Sequence, residues 1–415
     1  MSTDPVSVRP AYPLRVQLRS LLSTRAYPDP YAIYRELREH QPVCHVAPLD
    51  LFLISRHDDA LGLCRNRTLP TLDTTWFAEK WPSNPRNERL LRTMGWSPFY
   101  RNPPDHAAAR SALGRYFTSV RVRTLRAFIA QQVDHMLDEL AGHGSGGHAV
   151  DFQQLVARQI PMAVMTRIIG LPTADVPLLL SLVHDLALLF EPILKPSQRQ
   201  QLLGSHERLL DYLLAFVADR RNHLDGTLTA SLLGGRADPM PDHDAAATLA
   251  GLLLSGFETT AALLGNGVHA LATHPEQARL LASDQGLAGN AVDEVLRWDP
   301  PVQVIARRAA EPIHVRQVPV HAGATIVLLC GSANRDPAYC PEPDRFDITR
   351  TAGTALSFGS GPHRCLGAHL ARVEAVEVFS RLARRFPGLR LAGIPHHRDP
   401  GLSVRTFDTL PISVG

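Results

Sequence analysis

The densest run of chemically capable residues is Phe358-Gly359-Ser360-Gly361-Pro362-His363-Arg364-Cys365-Leu366-Gly367. Two glycines ahead of a cysteine let the chain turn tightly and let another body approach the backbone. Apolar, helix-forming residues follow Cys365 and place it at a helix N-terminus. There, unpartnered N–H groups and the helix dipole favour an anion. The thiolate is the form of cysteine that binds metal. A sulfur anion in a glycine-lined socket, facing a flat partner, is what a planar metal cofactor requires. Cys44, Cys64, Cys330 and Cys340 have no such setting and read as buried structural thiols.

Three other constellations stand apart in the chain. In Ser255-Gly256-Phe257-Glu258-Thr259-Thr260 an acid lies beside a hydroxyl within a long helical stretch. A helix-interior glycine costs about 1 kcal/mol relative to alanine, so it needs a reason. One reason is that Gly256 and Thr259 open the backbone ladder and leave room for a small molecule. The acid and alcohol would then offer a proton path. Glu294 and Arg297 are three apart and share a helix face, and an ordinary solvated pair reads the same way. His106 and Arg110 are four apart on a helix expected after Pro104. Arginine suits carboxylates because its planar fork donates two parallel hydrogen bonds.

The elements that must position these residues are mostly helical. Tyr31–Glu39 and Asp105 to about Arg221 carry helical spacing, the latter broken near Gly142–Gly147 and at Pro172. Leu178–Leu194 reads as two short helices. Asp242–Thr273 is a long helix ended by Pro275, Glu276–Trp298 gives one or two more, and a final helix runs from about Leu366 to Phe386. Leu51–Ser55, Ile313–Val320 and Ala324–Leu329 read as strands, and Asp336–Pro343 as a proline-rich meander. Residues 66–104 hold six prolines and read as a long, mostly irregular aromatic segment around Trp76, Trp81 and Trp96. Residues 1–28 read as an irregular lead-in.

Composition narrows the class. The 415 residues are 45% hydrophobic and 20% charged, with a net charge of +3. Arginines are scattered among acids, with lysine only at Lys80 and Lys195, and no basic patch interleaved with aromatics marks a nucleic-acid binder. The arginine excess is typical of a GC-rich genome such as an actinomycete's. The expected setting is cytoplasmic and off the membrane: MSTDPVSVRP lacks a signal pattern, and uninterrupted apolar runs such as Leu249–Phe257 fall short of the roughly 20 residues of a span. The five cysteines form no CxxC pair, and a cytosolic setting argues against disulfides. No boundary is visible, so one domain over 1–415 is expected.

The Cys365 loop resembles the haem-binding loop of the cytochrome P450 family, FGxGxHxCxG, and the other constellations fall in that family's order along nearly the whole chain. The resemblance implies a mainly α fold, helix-rich with a small β-rich region, and haem b buried between two long helices. It implies that Cys365 ligates the iron, where a thiolate favours O–O cleavage. Glu258 and Thr259 match the family's acid–alcohol pair, with Ser255 where alanine is usual. Pro103 to Arg110 matches PPDHxxxR, so His106 and Arg110, with Arg307 and His363, would hold the haem carboxylates. Arg307 is preferred over Arg308 on spacing. Glu294-Val295-Leu296-Arg297 matches the buried ExxR pair, with Arg345 as the expected partner.

The implied reaction is monooxygenation of a medium-sized, largely apolar small molecule, such as hydroxylation or epoxidation in natural-product tailoring. Its walls would come from residues 66–104 and 173–200, the helix before Ser255, Val302–Ile305 and the turn near Thr406-Phe407. No GxGxxG follows a strand, so NAD(P)H electrons would arrive through a separate ferredoxin and ferredoxin reductase. Arg115, Arg121, Arg123 and Arg364 form the expected basic docking face. Two rivals stay open: the same fold doing coupling, nitration, isomerisation or dehydration, and a non-catalytic haem-binding sensor.

Overall fold

The computed structural model describes residues 29–191, 194–220, 226–234, 240–351, 353, 355–399 and 401–414. The lead-in expected over residues 1–28, and Arg221, lie outside them. The central element is the helix Asp242–Thr273, with the boundaries its periodicity and Pro275 predict. Asp242 and Asp244 occupy its first turn, where acids complement the helix dipole. Its Ala- and Leu-rich surface is buried nearly all round, which marks a core helix. It packs against Gln159–Ile169, Val176–Leu186, Pro196–Arg220 and the final helix Ala368–Arg385. Two segments, Thr173–Phe190 and Asp242–Thr273, are long and apolar enough to cross a bilayer by length and composition. Both tolerate charged residues, and uninterrupted uncharged runs within them stay as short as expected. The second has 78% of its most apolar window buried inside the protein.

The aromatic segment is more ordered than its prolines imply. Asp73 accepts from the N–H groups of Thr75 and Trp76 and starts the helix Thr74–Lys80. Asn84 accepts from Asn87 N–H and starts Pro85–Met94, with Pro85 at the first helical position. Proline there removes a donor that has no partner anyway, so it begins a helix rather than breaking one. The tryptophans have protein partners. Trp76 Nε1 donates to Thr325 Oγ1 at 3.3 Å, Arg199 lies 4.5 Å above the Trp81 ring, and Arg101 lies 4.6 Å above Trp96.

The main sheet has four strands, in the order Val43–Val46, Leu51–Ile54, Thr325–Leu329, Val304–Arg308. Leu51 pairs Thr325 in parallel and Val304 pairs Leu329 antiparallel. The strand Val304–Arg308 was not legible in the sequence, and it is the one that carries Arg307. Ile313–Val320 is not one strand. It is a hairpin, Ile313–Val315 with Val318–Val320, turned at Arg316, whose φ is 55°. The Leu178–Leu194 region is one helix, Val176–Leu186, continuing into the 3₁₀ turn Ala187–Phe190, with residues 192–193 outside the described chain.

Candidate active site

The Cys365 loop is tied down from three sides. Cys365 N–H donates to Phe358 O at 2.8 Å and closes the loop on itself. Gly359 and Gly361 have φ of 65° and 72°, a region costly for residues with a Cβ. A Cβ on Gly361 would also meet Cys64 O at 3.0 Å. Behind the loop, Ser360 N–H donates to Cys64 Sγ at 3.2 Å, and Arg65 Nε donates to Ser360 Oγ at 3.0 Å. On the third side Asn334 accepts from Leu356 N–H at 2.7 Å and donates to Ser357 Oγ at 2.9 Å.

The loop's scaffold is the Glu294–Arg297 pair. Its two arms, Arg297 Nε to Glu294 Oε2 and Nη2 to Oε1, are each 2.7 Å long and buried. Arg297 also donates to Pro343 O at 2.7 Å and Arg345 O at 3.0 Å, and Glu294 accepts from Asp347 N–H at 2.8 Å. The expectation for Arg345 is corrected here. Only its backbone carbonyl takes part, and its side chain turns to Glu342 and Asp347. Arg350 is the arginine whose side chain approaches Glu294, at 3.4 Å. The meander gives Arg350 backbone carbonyls at Pro341 and Glu342 that hold it inward.

Cys365 is the one accessible cysteine of the five. It nonetheless sits among packed atoms that push its thiol pKa up. The N–H groups of Gly367 and Ala368, with Arg110 and Arg364, pull the pKa down without cancelling burial. The helix end expected to favour the thiolate is present. A coordinated metal cation would favour the thiolate further.

Next to Cys365, two imidazoles and two guanidiniums stand together with no carboxylate among the described residues. The His106 and His363 rings lie 4.0 Å apart. Burial, followed by His106, Arg307 and Arg110, drives the His363 pKa down to about 3. Burial and Arg110 lower that of His106. Arg307 is 4% exposed. It donates to its neighbour's carbonyl, Ala306 O at 2.9 Å, and approaches Cys64 Sγ at 3.9 Å. No carboxylate among the described residues pairs with it, and burial lowers its pKa. Arg308, by contrast, pairs with Glu79 at 3.1 Å. Buried charge is expensive unless paired, so this cluster suits an anion that the described residues do not supply.

The second predicted group lies on the central helix. Gly251 and Thr259 are half-buried and Ser255 is exposed, a spacing of four that forms an accessible stripe in the middle of a mostly buried element. Ser255 Oγ donates to Gly251 O at 2.7 Å, and Thr259 Oγ1 donates to Ser255 O at 3.0 Å. One expectation changes. Gly256 leaves no room for a ligand, because a Cβ there would lie 2.6 Å from Met165 Sδ. Glu258 is 3% exposed and turns to Arg398, whose Nη1 donates to Oε1 at 2.7 Å. Burial alone would raise the Glu258 pKa, but Arg398, His184 and Arg158 outweigh it and hold the group at about 2. Arg398 and His184 were missed in the sequence. Arg398 lies 140 residues from Glu258, and no local pattern links them.

Comparison with known proteins decides the family. The Cytochrome P450 family model matches residues 286–389. Cytochrome P450 BJ-3 of Bradyrhizobium diazoefficiens is 34% identical, over 94% of this chain and 95% of its own. The chain belongs to the cytochrome P450 family. The vitamin D(3) 25-hydroxylase of Pseudonocardia autotrophica is 33% identical over 95% of this chain and 96% of its own. Among solved structures, P450BioI in complex with an acyl carrier protein ligated to hexadec-9Z-enoic acid superposes with a TM-score of 0.85. It is 28% identical and covers 93% of this chain and 99% of that one. The protein is thus a P450 monooxygenase, an oxidoreductase that uses haem b and takes electrons from NAD(P)H through redox partners. The residues present fit that group: an accessible thiol, and beside it a basic cluster that no carboxylate among the described residues partners, where two haem carboxylates need partners.

Proposed function

We propose that this P450 inserts one oxygen atom of dioxygen into a medium-sized, largely apolar small molecule, by hydroxylation or epoxidation, as a natural-product tailoring step. The observation that carries the reading is the accessible Gly251–Ser255–Thr259 stripe with the buried acid Glu258 beside it. Haem, when bound, supplies the iron chemistry that activates dioxygen. Cys365 is the residue to ligate it, and His106, Arg110, Arg307 and His363 are those to hold its carboxylates by charge-assisted bonds. Thr259 offers a hydroxyl at the accessible face, and Glu258 is the residue to pass protons toward it. Ser255 adds a second hydroxyl to that face.

The apolar substrate class draws on two relatives: one is named for hydroxylating vitamin D(3), the other is bound with a fatty acyl chain on a carrier protein. It also draws on the aromatic wall of Phe77, Trp81, Tyr100, Phe99 and Phe190, whose rings pack at centroid distances of 4.8–5.8 Å. The electron donor of this reading is a small acidic ferredoxin with its reductase. Arg115, Arg121, Arg123 and Arg364 are exposed and enter no ion pair among the described residues. The chain acts as one cytoplasmic unit over 1–415. An optical titration of the holoenzyme against a library of apolar natural products tests the reading. A ligand that shifts the Soret band is then incubated with dioxygen and reductant. Product that needs both supports monooxygenation, and product formed without either overturns it.

A further inference from the structure

The carboxylate of Glu258 is divided between two neighbours. Arg398 Nη1 holds Oε1 at 2.7 Å, which leaves Oε2 for the imidazole of His184, whose Nδ1 lies 3.6 Å away. That Nδ1 is buried and has no hydrogen-bond partner. The other ring nitrogen, Nε2, lies 4.0 Å from Asp408 Oδ1. Side-chain exposure rises along the series, from 4% at Glu258 through 26% at His184 to 48% at Asp408. A deep carboxylate, an imidazole and a surface carboxylate thus stand in line. Each gap is a few tenths of an ångström to about 1 Å longer than a hydrogen bond. Both ends of the imidazole face oxygen acceptors, so a small ring movement makes either contact.

The surroundings fix His184 without blocking it. Arg398 Nη2 donates to the His184 backbone carbonyl at 2.6 Å, which ties the helix Val176–Leu186 to the arginine that also holds Glu258. Asp185, next in the chain, is occupied by Gln201 and Ser205 at 2.7 and 2.6 Å. Arg158 reaches Leu180 O at 3.3 Å. The charged groups facing His184 are therefore Glu258, Asp408, Arg398, Arg158 and Asp185. Histidine is the side chain that exchanges protons readily near neutral pH.

We propose that His184 is the proton relay between solvent and Glu258, with Asp408 as its outer station. This rests on the reading of Glu258 as the acid that passes protons toward the accessible face. In the step, Nε2 takes a proton from solvent by way of Asp408, and Nδ1 releases its own proton to Glu258 Oε2. Glu258 becomes neutral and the ring remains neutral with its proton on Nε2. Exchange with solvent, to which the ring is partly exposed, returns it to the Nδ1–H tautomer: Nε2 gives up its proton and Nδ1 gains one. No electron moves.

The test uses holoenzyme carrying His184→Gln, Glu258→Gln or both. Thermal unfolding of wild type and the three variants gives a double-mutant cycle. The two substitutions are expected to be non-additive, because His184 Nδ1 faces Glu258 Oε2. Additivity overturns the contact. Substrate-free NADPH oxidation is then driven by a plant-type ferredoxin and its reductase. Each single variant is expected to slow it roughly tenfold or more, and the double variant to be no slower than Glu258→Gln alone. A slow Glu258→Gln with an unimpaired His184→Gln overturns the relay and leaves the reading of Glu258 standing. An unimpaired Glu258→Gln overturns that reading itself.

Discussion

Arg307 allows a prediction whose control sits one residue away. Its guanidinium is buried, is bonded to a carbonyl and approached by a thiol, and has no carboxylate partner among the described residues. If a haem carboxylate is the missing partner, Arg307→Met removes charge-assisted hydrogen bonds worth about 1.5–3 kcal/mol. At about 1.4 kcal/mol per factor of ten, haem should leave roughly 10- to 150-fold faster. Arg308→Met removes a part-exposed pair with Glu79, worth about 0–1 kcal/mol, and should leave haem loss nearly unchanged. The assay mixes each holoenzyme with excess apomyoglobin and follows haem transfer optically. Equal transfer from Arg307→Met and wild type would refute the reasoning. So would a larger effect from Arg308→Met, which would move the carboxylate contact to the wrong arginine.

Further outcomes follow from the buried charges. Arg398→Met leaves the Glu258 carboxylate buried without its main partner and should cost about 3–5 kcal/mol in urea unfolding, largely restored by adding Glu258→Gln; a loss below about 1 kcal/mol would contradict the pairing. Burial raises the Glu374 pKa to about 8, above its unfolded value of about 4.3. Its folded form therefore retains a proton that the unfolded form has released, and stability should fall as pH rises from about 4.3 to 8. At pH 7 the difference is about 3–4 kcal/mol, and Glu374→Gln should flatten that slope. Glu258 has the opposite sign. Its folded pKa of about 2 contributes stability above about pH 4.5, lost as pH falls toward 2, and Glu258→Gln should remove that acid limb. Arg→Glu exchange at Arg121 and Arg123 should weaken reduction by an acidic ferredoxin most at low salt; stopped-flow reduction rates indifferent to both salt and exchange would dismiss that docking face.

The sequence was most informative where one element carries its own pattern. Asp242–Thr273 could be read because apolar periodicity, acidic first-turn residues and Pro275 agree within one stretch. The Cys365 loop was legible because its glycines, histidine and cysteine are contiguous, and the fold does bring His106, Arg110, Arg307 and His363 beside it. Misreadings came where distant chain decides. Arg345 and Arg350 flank the same turn, and only the fold shows that the second faces Glu294. Gly256 answers to Met165 on another helix. The helices within residues 66–104 were hidden because Pro85 was read as a breaker, although Asn84 just before it is a cap. Glu258 was picked out, but its partners His184 and Arg398 come from remote segments.

Ligation of the iron by Cys365 is tested by one spectrum. Reduced holoenzyme under carbon monoxide should show the long-wavelength Soret band of thiolate-ligated haem. Cys365→Ser should lose it, and replacement of Cys44, Cys64, Cys330 or Cys340 should leave it in place. A band that survives Cys365→Ser, or one abolished by replacing another cysteine in a protein that still binds haem, would contradict the assignment of the ligand.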